Sequence, residues 1–265
     1  MLSEETTALP RRLGIVIPYR DRVEHLFQTV PHLATYFTRD KLDVDLSVRI
    51  IVVEQPVGGP FNRGLMCNIG YKLVRDAIDY VCFHDVDYLP IWADYRCPDL
   101  PTMIIWHGFE SRPLDPAQPQ ARLLNKVERC FSAVVLIRKE QFEHVNGYPV
   151  QYWGWGPEDG ELRLRLELTG YGVRHRKGTF MALDHINAGY DVQGRPTPAH
   201  CANQALFNSR WEGGQPKYDW RADGLNSTRF EIVGRWPLGL PPETRNDIRA
   251  ERVLVTLLHN SPGAD

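Results

Sequence analysis

The chain has 265 residues, 43% of them hydrophobic, with 31 basic against 33 acidic side chains and a formal net charge of -2. That is enough apolar material for one sizeable core, and the charge balance argues against nucleic acid as a partner and against a purely electrostatic membrane anchor. No apolar stretch reaches the roughly 20 residues a spanning helix needs, so no integral membrane segment is expected. Residues 1–10 lack a basic stretch followed by an apolar one, as a secretory leader would have. The five cysteines, Cys67, Cys82, Cys97, Cys130 and Cys201, are odd in number, widely spaced and without a CxxC or Cys/His zinc pattern. Reduced thiols and a cytoplasmic setting are the expectation.

In chain order, residues 13–18 read as a short buried strand ending at Pro18. Val23, Leu26, Phe27, Val30, Leu33, Ala34 and Phe37 recur at helical intervals, with Pro31 expected to kink or split that helix. Residues 48–53 form a second β-rich run. Residues 62–80 read as a helix with Leu65, Ile69, Leu73 and Ala77 on one face, and residues 80–83 as a third strand. Strand–helix–strand–helix–strand order implies a mostly parallel sheet flanked by helices. Prolines then punctuate the chain. Residues 103–106 and 133–137 are strand candidates, and 112–122 reads as a surface loop. Residues 160–168 alternate their leucines as a strand does, yet Leu, Arg and Glu without a β-branched residue favour a helix. Residues 179–186 read as a strand, 229–233 as the last ordered block, and the rest as a peripheral tail. The expected organisation is one integrated domain: a nucleotide-sugar-binding lobe at 11–98, an acceptor-binding and catalytic lobe at 99–234, and a tail at 235–265.

Two motifs carry chemistry. Asp85-Val86-Asp87 follows the third strand, and ligands of open parallel sheets bind beyond the carboxyl ends of strands. Paired carboxylates there suit a divalent ion held against a diphosphate, although a polar turn ending a strand would look the same. Tyr152-Trp153-Gly154-Trp155-Gly156-Pro157-Glu158-Asp159 sets large aromatics on a glycine-rich loop, then two carboxylates at a helix start. Aromatic faces suit sugar rings and carboxylates suit their hydroxyls. The plainer alternative is core tryptophans with a helix cap.

These motifs, together with Ile17-Pro18-Tyr19-Arg20-Asp21-Arg22, Phe61-Asn62-Arg63-Gly64, Asn146-Gly147-Tyr148-Pro149 and Asp223-Gly224-Leu225-Asn226-Ser227, occur in an order that resembles the beta-1,4-galactosyltransferase family, its xylose-directed members included. The resemblance covers roughly residues 14–233. It implies a GT-A fold and a single displacement with inversion, from a UDP-sugar donor to a carbohydrate or glycan acceptor. It also implies Mn2+ as cofactor, with Mg2+ as the alternative. Pro18, Tyr19, Arg20 and Arg22 would frame the nucleotide, and Phe61 and Arg63 would contact uracil and diphosphate. Asp85 and Val86 would line the nucleotide-sugar site, and Asp87 would ligate the metal. Trp155 would close over donor and acceptor, Glu158 would bind sugar hydroxyls, and Asp159 would be the general base.

The chain departs from the family pattern in several places. Gly160 and Glu161 follow the catalytic pair where further acids are usual, so a different acceptor subsite is expected. Phe131-Ser132-Ala133 stands where the family has glycines. The second metal-ligand region, Met181-Ala182-Leu183-Asp184-His185, is one residue off the family's Met-x-x-His register; His185 is the chosen ligand and Asp184 the alternative. The stem and anchor of Golgi members are not in the sequence, which suggests surface-polysaccharide assembly on the cytoplasmic side. Cys130 stands where a bulky Tyr favours galactose, so the pocket is expected to admit N-acetylgalactosamine. Two other functions compete: a nucleotide- or carbohydrate-binding protein without catalysis, and a hydrolase using Glu158 and Asp159 as an acid/base pair. Adjacent helix-start residues rarely reach opposite faces of one bond, which ranks the hydrolase last.

Overall fold

A computed structural model describes residues 12–39, 46–105, 107–110, 131–184 and 189–258. Strand β1 (Arg12–Tyr19) lies between β2 (Ser47–Glu54) and β3 (Tyr80–His84), parallel to both. Their interiors are nearly continuous apolar runs, as strands covered on both faces require. Helix α1 (Val23–Arg39) joins β1 to β2, and α2 (Arg63–Val74) leads from β2 toward β3. The two connections run in opposite directions from β1, so right-handed crossovers put the helices on opposite faces. That reversal leaves a crevice at the carboxyl ends of β1 and β3, where such sheets bind ligands.

The main sheet has eight strands. Beyond β3 it continues through β7 (Val134–Arg138), β5 (Thr102–Met103) and β8 (Arg174–His175); beyond β2 it continues through β13 (Ile248–Leu257) and the edge strand β12 (Phe230–Pro237). A smaller sheet orders β4 (Tyr88–Ala93), β9 (Gly178–Ala182) and β6 (His107–Glu110). Helices α3 (Lys139–His144), α4 (Glu158–Leu168) and α5 (Pro198–Arg210) complete the set used below, with a short hairpin of β10 (Trp211–Glu212) and β11 (Gln215–Pro216) after α5.

Several expectations are corrected. Helix α1 runs unbroken through Pro31, and Val23 and Phe27 are on its exposed side, Phe27 at 72%. The helix expected over 62–80 stops at Val74 and tightens into a 3-10 turn at Arg75–Ala77. The strand expected at 103–106 is the two-residue β5; Trp106 and the loop at 112–122 lie outside the described residues. The ambiguous 160–168 stretch is helical, within α4. The strand expected at 179–186 ends at Ala182, and 185–186 lie outside the described residues.

The largest difference concerns the C-terminus. Residues expected as a peripheral tail include β13, which pairs with β2 in parallel from Ile248↔Val48 to Leu254↔Glu54. Val253 and Val255 are fully buried in it. The physical reason is that β2 needs a neighbour on its outer side, and only a strand some 200 residues downstream supplies those backbone partners.

Candidate active site

A cleft of about 570 Å³ opens at the carboxyl ends of β1 and β3. It is lined by Pro18 near the end of β1, by Arg20 and Arg22 just beyond it, by Phe61 and Arg63 before and at the start of α2, and by Asp85, Val86 and Asp87 after β3. Trp155, Glu158 and Asp159 close the opposite wall. Tyr19 is buried and is not among the lining residues. Cys130 and His185 lie outside the described residues.

Local structure explains these placements. Arg20 donates to the Gly59 carbonyl at 2.9 Å, and its guanidinium lies 5.2 Å from the Phe61 ring centre, forming a flat cationic wall. Asn62 caps α2: its Oδ1 accepts from Leu65 N at 2.9 Å, and its Nδ2 donates to the Val150 carbonyl at 2.8 Å. Such a cap contributes about 1 kcal/mol and fixes where Arg63 leaves the helix. Next to it, a Cβ on Gly64 would stand 2.6 Å from the Pro149 carbonyl oxygen, so only glycine lets α2 approach this closely. The Asp85–Asp87 turn is held by α1, where Thr29 Oγ1 donates to the Val86 carbonyl and His32 Nε2 lies 2.7 Å from the Pro90 carbonyl. His84 is fully buried between the Asp85 carbonyl and the Tyr95 hydroxyl, and burial lowers its pKa to about 4, so it is a neutral structural group.

Arg63 is the electrostatic centre of the cleft. Its Nε donates to Asp85 at 2.8 Å and its Nη1 to Asp159 at 2.8 Å, with Glu158 3.9 Å away. Three carboxyl groups around one guanidinium leave an excess of negative charge. Loss of solvent pushes the pKa of Asp85 up to about 6 and that of Glu158 up to about 8, and it also raises Asp159, with Arg63 opposing each shift. Glu158 Oε2 is buried with no hydrogen-bond partner among the described residues. A proton, a cation or a hydroxyl donor from a ligand would satisfy it.

The other motifs are structural and position this wall. Asn146, at φ 57, exchanges side-chain and backbone hydrogen bonds with Asn226, and its carbonyl accepts from Leu225 N at 2.7 Å. Gly224 approaches so closely that a Cβ would meet the Asn146 carbonyl oxygen at 1.9 Å. The two sequence-distant turns therefore lock together, and Asp223 then accepts from Val150 N at 3.0 Å ahead of the tryptophan loop. Asn203 of α5 donates to the Trp153 and Trp155 carbonyls at 2.9 and 2.8 Å. Trp155 itself is 41% exposed, with the His200 ring centre 4.0 Å away and Tyr190 5.9 Å away. Glu161, which follows the catalytic pair, is wholly buried with Arg165 beneath the loop.

Sequence reasoning missed several lining residues, among them Pro60, Tyr88, Ser132, Ala133 and Ala199. One signal was present. Ala133 adopts φ 65, the left-handed region that favours glycine, which gives a physical reason for glycines at this stretch in the resembling family.

The metal question turns on donors. Among the described residues no three His, Cys, Asp or Glu groups cluster as a cation site. Asp87 is buried at the cleft floor with Arg22 3.3 Å away. Its carbonyl accepts from Leu183 N at 2.7 Å, so the chain leading to Asp184 is fastened beside it. His25 Nε2 lies 3.1 Å from the Asp184 carbonyl on the same side. An oxygen donor in an acidic cleft, next to the segment carrying the second expected ligand, fits a hard or borderline divalent ion.

Comparison with known proteins agrees with this geometry. Residues 4–98 match a family model described as the N-terminal region of glycosyl transferase group 7, and residues 112–188 match one described as the N-terminal domain of galactosyltransferase. Beta-1,4-galactosyltransferase 7 of Drosophila melanogaster is 31% identical over 226 residues, covering 84% of this chain and 63% of the relative. Beta-1,4-galactosyltransferase 4 of Homo sapiens is 29% identical over 245 residues, covering 87% and 61%. The chain thus spans about three-fifths of the length of these curated relatives. The crystal structure of the catalytic domain of Drosophila beta-1,4-galactosyltransferase 7 with xylobiose superposes with a TM-score of 0.66 at 25% identity, over 96% of this chain and 99% of that one. A mutant of the same enzyme with manganese, UDP-Gal and xylobiose gives 0.68 at 25% identity, over 94% and 95%. No helix among the described residues is long and apolar enough to cross a membrane. With its motifs gathered in one cleft of a GT-A fold, the chain belongs to the beta-1,4-galactosyltransferase family.

Proposed function

We propose that this chain transfers galactose, or a close relative such as N-acetylgalactosamine, from a UDP donor to a carbohydrate hydroxyl with inversion. The observation that carries the reading is the Arg63 bridge, which joins a carboxylate of the Asp85–Asp87 turn to Asp159 of α4 across one cleft. Arg20 stacked on Phe61 offers a flat surface for a base, and Arg20, Arg22 and Arg63 supply positive charge for a diphosphate. Trp155 offers an exposed apolar face for a sugar ring. Asp159, whose pKa loss of solvent raises while Arg63 opposes the shift, removes the proton from the acceptor hydroxyl as that oxygen attacks the anomeric carbon. A single base on one wall, acting opposite the leaving diphosphate, gives inversion. Glu158, partly unsatisfied beside it, binds sugar hydroxyls.

Asp87 would hold a divalent ion, Mn2+ first and Mg2+ as the alternative, together with His185 or Asp184. When bound, the ion supplies Lewis-acid stabilisation of the departing diphosphate. The Drosophila relative solved with manganese, UDP-Gal and xylobiose supports this choice of donor and metal, and a xylose-type acceptor is the first to try.

The test is release of UDP from UDP-galactose and UDP-N-acetylgalactosamine, with xylosides as acceptors, in Mn2+ and in chelator. Transfer in Mn2+ that chelation abolishes is expected, as is loss of metal-dependent UDP binding in Asp87→Ala. Absence of turnover and of binding with every UDP-sugar would overturn the reading. Use of UDP-galactose with exclusion of UDP-N-acetylgalactosamine would remove Cys130 as the donor gate.

A further inference from the structure

A second cleft, of about 620 Å³, opens where β2, β13 and β12 meet. It is lined by Arg49, Arg249 and Arg235 and by the apolar Ile50, Leu238 and Ile248. Arg49 lies near the amino end of β2, so it stands about 17 Å along the strand from Glu54, at whose end of the sheet the catalytic cleft opens.

The arginines are unusual in how they are arranged. Because β13 is parallel to β2, Arg249 stands directly beside Arg49 in register, and both side chains leave the same face of the sheet. Neighbouring strands are only about 4.8 Å apart, and like charges side by side in a sheet destabilise it. A folded chain ordinarily offsets such a pair with an acid. Neither Arg49 nor Arg249 makes a hydrogen bond or ion pair among the described residues. The nearby acid, Glu251, is engaged by Arg235, whose Nε and Nη2 donate to it at 2.5 and 2.6 Å. The pair therefore presents two unused planar forks at the edge of a cavity with apolar walls.

We propose that Arg49 and Arg249 form a binding site for a phosphate-type oxyanion carried on an apolar body. Two guanidinium groups can share the oxygens of one phosphate in forked hydrogen bonds, which removes their mutual repulsion. Pro237, Leu238 and Leu240, which line the cleft and are not buried, give the non-polar part of the ligand a surface to cover. This chemistry has two sources, a soluble organic phosphate or a phospholipid headgroup. Either would tether the enzyme or its acceptor at a position remote from the catalytic cleft.

The experiment titrates the full chain with hexyl phosphate and with vesicles of phosphatidylcholine, with and without phosphatidic acid. The comparison proteins are the Arg49→Gln/Arg249→Gln double variant and Arg163→Gln, which removes a guanidinium that pairs with Glu167 on α4. Hexyl phosphate can also enter the catalytic cleft, so the difference between full chain and double variant is the quantity read. Each arginine should contribute about tenfold in affinity, while Arg163→Gln behaves as the full chain does. Loss in the double variant with hexyl phosphate alone assigns a soluble ligand. Loss with phosphatidic acid vesicles assigns a headgroup. Melting temperatures in phosphate-free buffer check the fold, and the double variant should melt no lower than the full chain. Equal binding by the double variant, or no binding to either probe by the full chain, overturns the proposal.

Discussion

Helix α4 carries two carboxylate clusters one turn apart, and they are built on opposite principles. At Glu161 every demand is met. Its oxygens accept from Arg165 at 2.6 and 3.1 Å and from the Tyr152 hydroxyl at 2.6 Å, with Tyr218 as a further donor, while Arg165 also binds the Gly147 and Asp223 carbonyls. At Glu158 and Asp159, three carboxyls compete for Arg63, one oxygen has no partner among the described residues, and the pKa values rise. A saturated buried network fixes shape; an unsaturated one keeps capacity for a ligand or a proton. Sequence alone shows only acids on one helix, so the partners make the difference.

The largest effect should separate the clusters by activity. Asp159→Asn keeps the shape and removes the base, so turnover should fall about 10²–10⁴-fold while UDP-sugar affinity stays nearly intact. Because loss of solvent raises the Asp159 pKa, the acid limb of kcat/KM should lie above the ordinary aspartate range, with activity lost as pH falls through it. Near-normal turnover in Asp159→Asn would move the base to Glu158 and end the contrast as drawn.

The mirror experiment is Glu161→Ala. It leaves Arg165 buried without its main counter-charge, a loss of about 3–5 kcal/mol in stability. Urea midpoints should drop accordingly, while activity per folded molecule, measured at low temperature, changes little. Turnover falling as far as in Asp159→Asn, without a stability loss, would place Glu161 in the chemistry instead.

The legible and illegible parts of the molecule divide along a related line. The β1-to-β3 core, with its helices, was readable because each element declares itself locally: apolar runs for strands and a 3.6 period for α2. The cleft residues that sit on motifs were readable, whereas Pro60, Tyr88 and Ala199, which sit on none, were not. Strand β13 was not, since its partner Val48 is 200 residues away and its surface alternates with Arg249, Glu251 and Arg252. Periodicity places Val23 and Phe27 on the helix but does not say which apolar residues find a neighbour, and both are exposed. The network around Glu161 was not legible either: its partners Tyr218 and Arg210 arrive from a distant segment.

A smaller effect tests the cost of the unsaturated cluster directly. Glu158 holds its proton more tightly when folded, with a pKa of about 8 against 4.5. Its burial therefore favours the folded state below the ordinary glutamate value, and that contribution is lost as pH rises through the folded one. Glu158→Gln, which cannot ionise, should gain stability relative to the parent between those limits, reaching about 1–3 kcal/mol at the alkaline end. Thermal melts at pH 5 and pH 8 measure it. An offset that is the same at both pH values would show that Glu158 pays no ionisation penalty, and the contrast with Glu161 would then rest on hydrogen bonding alone.

The smallest effect concerns the backbone that carries the unsaturated cluster. Ala133 adopts φ 65, lines the cleft, and accepts from Asp85 N at 2.8 Å through its carbonyl. An L side chain in the left-handed region costs about 1 kcal/mol, because Cβ crowds the neighbouring carbonyl. Glycine has no such penalty, although it loses more freedom on folding. At a position already held left-handed by β7 on one side and Asp85 on the other, relief of strain should win. Ala133→Gly should therefore raise the melting temperature by about 2–4 °C. The same substitution loosens the support of Asp85, which shares Arg63 with Asp159. The expected price is a rise of about twofold in KM for the donor with kcat unchanged, since a looser wall weakens ground-state and transition-state binding alike. A melting temperature that falls instead would mean that the Ala133 methyl packs productively against Phe131 or its neighbours. In that case side-chain packing around Ala133 supports the wall, and the strain at φ 65 is offset locally.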